Sequence, residues 1–212
     1  MLRNLESRGK QMRIVLASAS PRRRELLEQV GIEFEVITSQ VEEVYTSTEP
    51  AEIVKELAVL KAFDIAQVQE GNCVVIGADT VVVHDGKILG KPKDEEEAFE
   101  MLSALQGKSH EVYTGVALVN CKETEINGEE LETTFELINH AINTTVYVMP
   151  MSPAEIKAYI ATGEPMDKAG AYGIQGRFAA FIEGIEGDYY NVMGLPISYV
   201  YGALKLIESG EI

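Results

Sequence analysis

The feature that most constrains this fold is an apolar run in the first half of the chain. Residues 73–77 (CVVIG) carry no polar side chain, which is typical of a strand covered on both faces. Residues 81–83 (VVV) resume the run, and the Asp85-Gly86 pair is a strong signal for a two-residue hairpin turn. We therefore expect a buried strand that turns back directly into a return strand at 87–89.

Periodic apolar residues predict the remaining elements. Further strands are expected at 13–18, 34–37, 112–119, 135–148 and 178–182. Helices are expected at 21–30, 48–68, 94–106, 153–163 and 196–207. The polar segment 120–134 is predicted to be a loop or a hairpin tip facing solvent. This pattern is that of an α/β protein with a mixed, twisted sheet and flanking helices.

The charge of the chain limits its partners. The formal net charge is −16, so we expect the protein to repel a nucleic-acid backbone. Positive side chains nevertheless gather at motifs, namely Arg22, Arg23, Arg24, Lys61, Lys91, Lys93, Lys168 and Arg177. Local positive sites on an acidic body indicate a small polyanion as the ligand and argue against a nucleic-acid polymer.

Domain organisation and location follow from the termini and the cysteines. Residues 1–11 are polar and lack the apolar core of a signal peptide, so we predict an N-terminal extension followed by one domain at 12–212. No apolar stretch approaches the roughly 20 residues that span a bilayer. Cys73 and Cys121 form neither a disulfide framework nor a zinc-binding spacing. We therefore expect a cytoplasmic protein with no membrane contact.

An unusual helix start follows the first strand. Ser20 and Pro21 suit the N-cap and the first helical position. The first turn then carries Arg22, Arg23 and Arg24, although acidic side chains are favoured there. Backbone N–H groups and guanidinium groups can together form a phosphate site. The motif is therefore either an anion site or a solvated basic turn.

Asp79 and Thr80 break the apolar run. A buried carboxylate needs a cation or a metal as its partner, so Asp79 is a metal ligand or general base facing a pocket, or else a residue capping a turn. Glu42 or Glu43 would add a second carboxylate, and carboxylates suit Mg²⁺ or Mn²⁺. Lys61 lies on the apolar stripe of its helix and either extends to solvent or reaches a polar cleft.

Two loops add candidate ligand contacts. Lys91 lies between a glycine and a proline after the hairpin, and the loop at 163–176 holds four glycines, which can expose N–H groups to an anion. Gln175 in this loop can both donate and accept, which suits reading a base edge. A purely structural loop is the alternative. We predict structural roles for the three histidines, His84, His110 and His140.

Four motifs, in this order and spacing, resemble the Maf family of nucleoside triphosphate pyrophosphatases. They are 18–23 (SASPRR), 76–80 (IGADT), 90–92 (GKP) and 167–176 (DKAGAYGIQG). The resemblance covers residues 12–207. It implies two lobes around a cleft in a fold similar to that of inosine-triphosphate pyrophosphatases. It also implies a divalent metal and hydrolysis of a nucleoside triphosphate to the monophosphate and pyrophosphate, and it suggests a homodimer.

The resemblance implies roles for the matching residues. Asp79 corresponds to the proton acceptor and a metal ligand, and Glu42 to the second acidic residue at the metal, with Glu43 as its alternative. The implied phosphate-binding residues are Ser18, Arg22, Arg23, Lys61 and Lys91. The implied specificity residues are Arg22, Thr80 and Gln175, which resemble the branch acting on dTTP and UTP rather than the branch preferring 7-methyl-GTP.

The implied reaction is attack of a positioned water on the α-phosphorus, with pyrophosphate leaving. General-base assistance contributes about 10²–10⁴ in rate, so most of the acceleration should come from electrostatics and positioning. Modified pyrimidine nucleotides are expected among the substrates. Two other hypotheses stay open, a nucleotide sensor that binds without meaningful turnover and a sister enzyme with purine specificity.

Overall fold

The computed structural model describes residues 12–126 and 130–211. The strands are β1 (Arg13–Leu16), β2 (Glu35–Val36), β3 (Cys73–His84), β4 (Lys87–Leu89), β5 (Ser109–Ile126), β6 (Glu130–Val148) and β7 (Ile182–Glu186). The α-helices are α1 (Pro21–Gln29), α2 (Pro50–Ala66), α3 (Glu95–Leu105), α4 (Pro153–Ile160), α5 (Tyr189–Met193) and α6 (Ile197–Ser209). Short 3-10 helices lie at Glu164–Asp167, Ala169–Ala171 and Arg177–Phe181. The extension predicted at 1–11 lies outside the described residues.

One mixed sheet organises these elements in the order β2-β1-β3-β5-β6-β7, with β4 paired to β3. Strand β1 runs parallel to β2 and β3, whereas the pairs β3-β5, β5-β6 and β6-β7 are antiparallel. The predicted mixed α/β fold is therefore confirmed. The apolar run forms one continuous strand, Cys73–His84, in which Asp79 and Thr80 are half-buried members and not a break. Within the described ranges, no helix combines the length and apolar composition needed to cross a bilayer.

The two faces of β3 pack against different helices, because successive side chains of a strand point in opposite directions. Ile76 and Val82 join a core with α1, α3, α4 and α6, while Val75 packs with α2. Helix α2 lies so close to Gly77 and Gly115 that an added Cβ at either would collide with the α2 backbone. These two glycines therefore set the spacing between α2 and the strands beneath it.

The predicted tight hairpin after β3 is confirmed. Asp85 and Gly86 both have positive φ, 48° and 73°, as a turn matched to the twist of its flanking strands requires. Of the two predictions for the segment 120–134, the loop is wrong over the part that the structure describes, whereas the end of a hairpin is right. Strands β5 and β6 stay paired through this segment out to Ile126 and Glu130, because cross-strand backbone hydrogen bonds form whatever the polarity of the side chains. Its tip at 127–129 lies outside the described residues.

The strand predicted at 178–182 was wrong for most of its length. Residues Arg177–Phe181 form a 3-10 helix, and β7 begins only at Ile182. Phe178 is fully buried, with its ring centroid 5.1 Å from that of Tyr159 and 4.8 Å from that of Tyr172. Aromatic residues favour strands on average, but the Phe178 side chain packs in the core from a 3-10 helix.

His84 and His110 are buried, whereas His140 is exposed with its ring against another aromatic side chain. His140 stacks on Tyr199, and His84 Nδ1 lies 3.2 Å from the carbonyl oxygen of Ser109. His110 is 3% exposed, and its Nε2 lies 2.7 Å from the hydroxyl oxygen of Tyr172. Burial, helped by the nearby His84, lowers the pKa of His110 to about 4. The folded protein therefore holds this ring neutral.

Replacing His110 with glutamine is expected to make the free energy of unfolding less dependent on pH below neutrality. The unfolded chain takes up a proton on His110 below about pH 6.5, whereas the folded chain does so only near pH 4. The contribution of His110 to stability is therefore complete above pH 6.5 and is lost as the pH falls from 6.5 to 4. Over that window the wild type should lose about 3 kcal/mol relative to the variant. Urea unfolding at several pH values measures the difference, and parallel profiles would contradict it.

Candidate functional site

A cleft of about 970 Å³ brings the four sequence motifs together. The lining residues come from the start of α1, the segment 38–45 and helix α2. The turn after β4 and the loop at 164–176 also line the cleft. The predicted site residues that line the cleft are Ser18, Arg22, Arg23, Lys61, Asp79, Thr80, Lys91 and Gln175.

The start of α1 differs from that of α3. Asp94 caps α3 by accepting a 2.8 Å hydrogen bond from the backbone N–H of Glu97. Helix α1 begins at Pro21 as predicted, but the Ser20 side chain makes no capping bond and the first turn has no acidic residue. Ser18 Oγ instead accepts the backbone N–H of Ser20 at 3.3 Å. The positive end of α1 therefore faces the cleft without a carboxylate of its own, as an anion site requires.

Arg23 is the most firmly held cation of the cleft. Its Nε donates to the carbonyl oxygen of Gly194 at 2.7 Å, and its two terminal nitrogens donate to Ser18 Oγ at 3.1 Å and Thr80 Oγ1 at 3.2 Å. Burial lowers the pKa of the guanidinium, which the neighbouring Asp79 opposes. All three hydrogen-bond partners are neutral groups, so the positive charge of Arg23 is available to an anionic ligand.

Two further cations lie nearer the opening of the cleft. Arg22 Nη1 lies 3.6 Å from Asp167 Oδ2, a distance at which the ion pair is weak. Asp167 Oδ1 also accepts a 2.6 Å hydrogen bond from Lys168. The Lys91 side chain is exposed. Arg22 and Lys91 are therefore free enough to move onto a phosphate group.

Lys61 joins two carboxylates inside the cleft. Its Nζ lies 2.6 Å from Asp79 Oδ1 and 2.8 Å from Glu43 Oε1. The side chains of Lys61 and Asp79 are only 15% and 13% exposed, so Lys61 reaches the cleft and does not extend to solvent. Glu43, whose side chain is 56% exposed, is the member of the acidic pair that pairs with Lys61 and lines the cleft. The predicted role of Glu42 at a metal stays a prediction.

The loop that carries Gln175 is fixed by one carboxylate. Glu164 accepts hydrogen bonds from the Tyr159 hydroxyl at 2.9 Å and from the backbone N–H of Arg177 at 3.0 Å. Gly176 passes so close to this carboxylate that a Cβ there would collide with it. The exposed Gln175 side chain is therefore presented from a held backbone at the edge of the cleft.

Comparison with known proteins identifies the family of the chain. A family model described as Maf-like protein matches residues 13–207. The chain belongs to the Maf family. A dTTP/UTP pyrophosphatase of Lachnoclostridium phytofermentans is 50% identical over 192 residues, covering 91% of this chain and 93% of the relative. A dTTP/UTP pyrophosphatase of Bacillus cytotoxicus is 49% identical over 199 residues, covering 93% and 97%. The Staphylococcus aureus Ham1 structure matches at 15% identity with a TM-score of 0.42, covering 90% and 99%.

The carboxylates of this Maf protein fit a hard divalent cation only if substrate phosphates supply further oxygen ligands. Within residues 12–126 and 130–211, no group of three or more His, Cys, Asp or Glu side chains is placed to hold a metal. Asp79 and Glu43 nevertheless share one ammonium partner, so both can turn toward a common ion. Mg²⁺ is commonly bound by one or two carboxylates together with substrate phosphates and water. The residues present fit that arrangement.

Sequence reasoning assigned no role to several residues that shape this Maf site. Glu164 and Tyr159 hold the Gln175 loop, and Thr114 and Asn191 lie behind Thr80. Glu164 lies in the loop at 163–176, whose glycines were the sequence feature that could have drawn attention to it. Thr114 and Asn191 carry no local signal, because they reach the site only through pairing across the sheet and with α5.

Proposed function

We propose that this Maf-family protein hydrolyses dTTP and UTP, and modified pyrimidine forms of them, to the nucleoside monophosphate and pyrophosphate. The observation that carries the proposal is the Lys61 ion pair with Asp79 and Glu43 in a cleft lined by Arg22, Arg23 and Lys91. Relatives about half identical over nine tenths of the chain bear the name dTTP/UTP pyrophosphatase. A small polyanion is also what the acidic body with local positive sites indicates.

The cations have distinct parts in the proposed binding of the triphosphate. Arg23 and the open start of α1 form a fixed anion site, because Arg23 is held by three neutral groups. Arg22 and Lys91 close on the phosphates from the mouth of the cleft. Ser18 adds a hydroxyl beside Arg23. Positioned cations of this kind favour a transition state in which negative charge spreads over the phosphate oxygens.

Asp79 is proposed as the proton acceptor. Its Oδ1 is held by Lys61, which leaves Oδ2 to orient a water molecule and take one of its protons. The oxygen of that water then bonds to the α-phosphorus as the bond to the pyrophosphate oxygen breaks. Asp79 and Glu43 would hold Mg²⁺ or Mn²⁺, which when bound supplies positive charge for the phosphate oxygens.

Substrate choice is proposed to depend on Arg22, Thr80 and Gln175. We also propose that residues 12–212 act as one catalytic domain, with no nucleic-acid polymer as partner. A cytoplasmic location agrees with Cys73 and Cys121, which are free and buried although they are register partners in adjacent strands. The homodimer suggested by the family resemblance stays a prediction.

A pyrophosphate-release assay tests the proposed function. The substrates are UTP, dTTP, CTP and 7-methyl-GTP, each with Mg²⁺, with Mn²⁺ and with EDTA. We expect metal-dependent release that is fastest with UTP and dTTP. Binding without release would favour a nucleotide sensor, and preference for 7-methyl-GTP would show that the specificity residues were misread.

A further inference from the structure

Arg23 fixes two hydroxyl groups of the cleft, and the surrounding bonds give them opposite hydrogen-bonding character. Ser18 Oγ accepts two hydrogen bonds, from the backbone N–H of Ser20 at 3.3 Å and from Arg23 at 3.1 Å. Among the described residues the hydroxyl hydrogen of Ser18 has no acceptor, so it is free to donate. Ser18 therefore suits an ionised phosphate oxygen, which can only accept.

The Thr80 hydroxyl has the reverse character. Its Oγ1 accepts a hydrogen bond from Arg23 at 3.2 Å and lies 2.9 Å from Thr114 Oγ1. Thr114 is fully buried and donates its single hydroxyl hydrogen to the backbone carbonyl oxygen of Asn191 at 2.8 Å. A carbonyl oxygen has no hydrogen to give. The hydrogen between the two threonines must therefore come from Thr80.

This chain of bonds decides what Thr80 can offer a ligand. Its hydrogen is committed to Thr114 and one lone pair to Arg23, so a single lone pair is left for the cleft. Thr80 can accept a hydrogen bond from a ligand but cannot donate one. An ionised phosphate has no hydrogen to donate to it, so the Thr80 hydroxyl suits the nucleoside part of a substrate and the Ser18 hydroxyl suits the phosphate part.

We propose that Thr114 is a positioning residue that holds the Thr80 hydroxyl as an acceptor for the imide N–H of a uracil or thymine base. This inference rests on the proposed function and adds the reason for its pyrimidine preference. Uracil and thymine carry a hydrogen on N3, whereas cytosine has a lone pair there. A Thr80 hydroxyl that cannot turn its hydrogen toward the base accepts a hydrogen bond from N3–H of uracil or thymine. It repels the lone pair on N3 of cytosine, and a fixed polar group of this kind discriminates between substrates.

Replacing Thr114 with valine tests the proposal. The change removes the acceptor of the Thr80 hydrogen, which is then free to turn toward the cleft. The Asn191 carbonyl keeps a partner, because it also accepts the backbone N–H of Gly194 at 2.9 Å. We expect kcat/KM for UTP to fall about threefold to tenfold, mostly through KM. For CTP, kcat/KM is expected to rise, because the freed hydroxyl can donate to cytosine N3.

Two further variants separate positioning from a structural effect. Thr114→Ser keeps the hydroxyl and is expected to restore the selectivity for UTP over CTP. In a Thr80→Val background there is no hydroxyl to orient, so adding Thr114→Val should leave the UTP to CTP ratio unchanged. Equal losses on both substrates, or a further change of the ratio in the double variant, would overturn the proposal. Thermal unfolding of each variant shows which of them are folded.

The assay separates this inference from the proposed function. A wild-type protein that releases no pyrophosphate from UTP or dTTP refutes the proposed function. In that case the dissociation constants of UTP and CTP, measured by calorimetry, replace kcat/KM in the same variant series. A wild-type protein that turns over both substrates with a ratio indifferent to Thr114→Val refutes only the role of Thr114.

Discussion

Replacing Asp79 with asparagine is expected to lower kcat for pyrophosphate release by about 10³-fold, within the ~10²–10⁴ that a general base contributes. Asparagine has nearly the same shape and its amide oxygen can still accept from Lys61, but it cannot take up a proton. Lys61 also keeps Glu43 at 2.8 Å, so no cation is left without a partner. Initial rates at saturating UTP and Mg²⁺ measure the loss.

The matched control for this variant is Asp85→Asn. Asp85 lies in the hairpin turn with its side chain 78% exposed, and its φ of 48° is one that asparagine adopts readily. Asp85→Asn should therefore retain full activity and stability. Asp79→Asn should keep UTP binding and unfold at nearly the same temperature as the wild type. Turnover within about tenfold of the wild type would exclude Asp79 as the proton acceptor, since that is below the general-base range.

Sequence periodicity predicted those helices and strands whose own residues carry the apolar pattern. Helix α2 lies within the predicted 48–68, and β3 spans both halves of the apolar run. For the segment 120–134, polarity could not distinguish a loop from the end of a hairpin, because its strand structure comes from pairing between β5 and β6. Phe178 was misplaced for the related reason that tertiary packing overrides the strand preference of an aromatic side chain.

Some residues of the candidate site could likewise be predicted from the sequence, and others could not. Asp79 could be named because it interrupts an apolar run, and Arg23 because three arginines are unusual at a helix start. The role of Lys91 came from the family resemblance. The ion pair of Glu43 with Lys61 could not be predicted, because the two residues lie on different elements. Thr114 is 34 residues from Thr80 and 77 from Asn191. Its position at the site is therefore a property of the sheet register and not of any local pattern.

Replacing Gly115 with alanine is expected to destabilise the fold by about 3 kcal/mol or more, as forced overpacking of a core does. The new Cβ would meet the backbone of Val54 and Lys55 in α2, and backbone atoms cannot rotate aside as a flexible side chain can. Gly115 is also the register partner of Asp79, and α2 carries Lys61. Moving α2 outward should therefore lengthen the 2.6 Å contact between Lys61 and Asp79 and reduce activity as well. Urea unfolding and pyrophosphate release measure the two effects.

Gly202→Ala provides the control, since it makes the same chemical change where space is free. Gly202 lies inside α6, and a Cβ there meets nothing within 4 Å. Alanine should stabilise this helix by about 0.5–1 kcal/mol, because glycine loses more backbone freedom on folding. The two substitutions are therefore expected to change stability in opposite directions. If Gly115→Ala unfolded at the wild-type urea concentration, the close approach of α2 would not be what fixes Lys61 against Asp79, and the spacing of the site would need another origin.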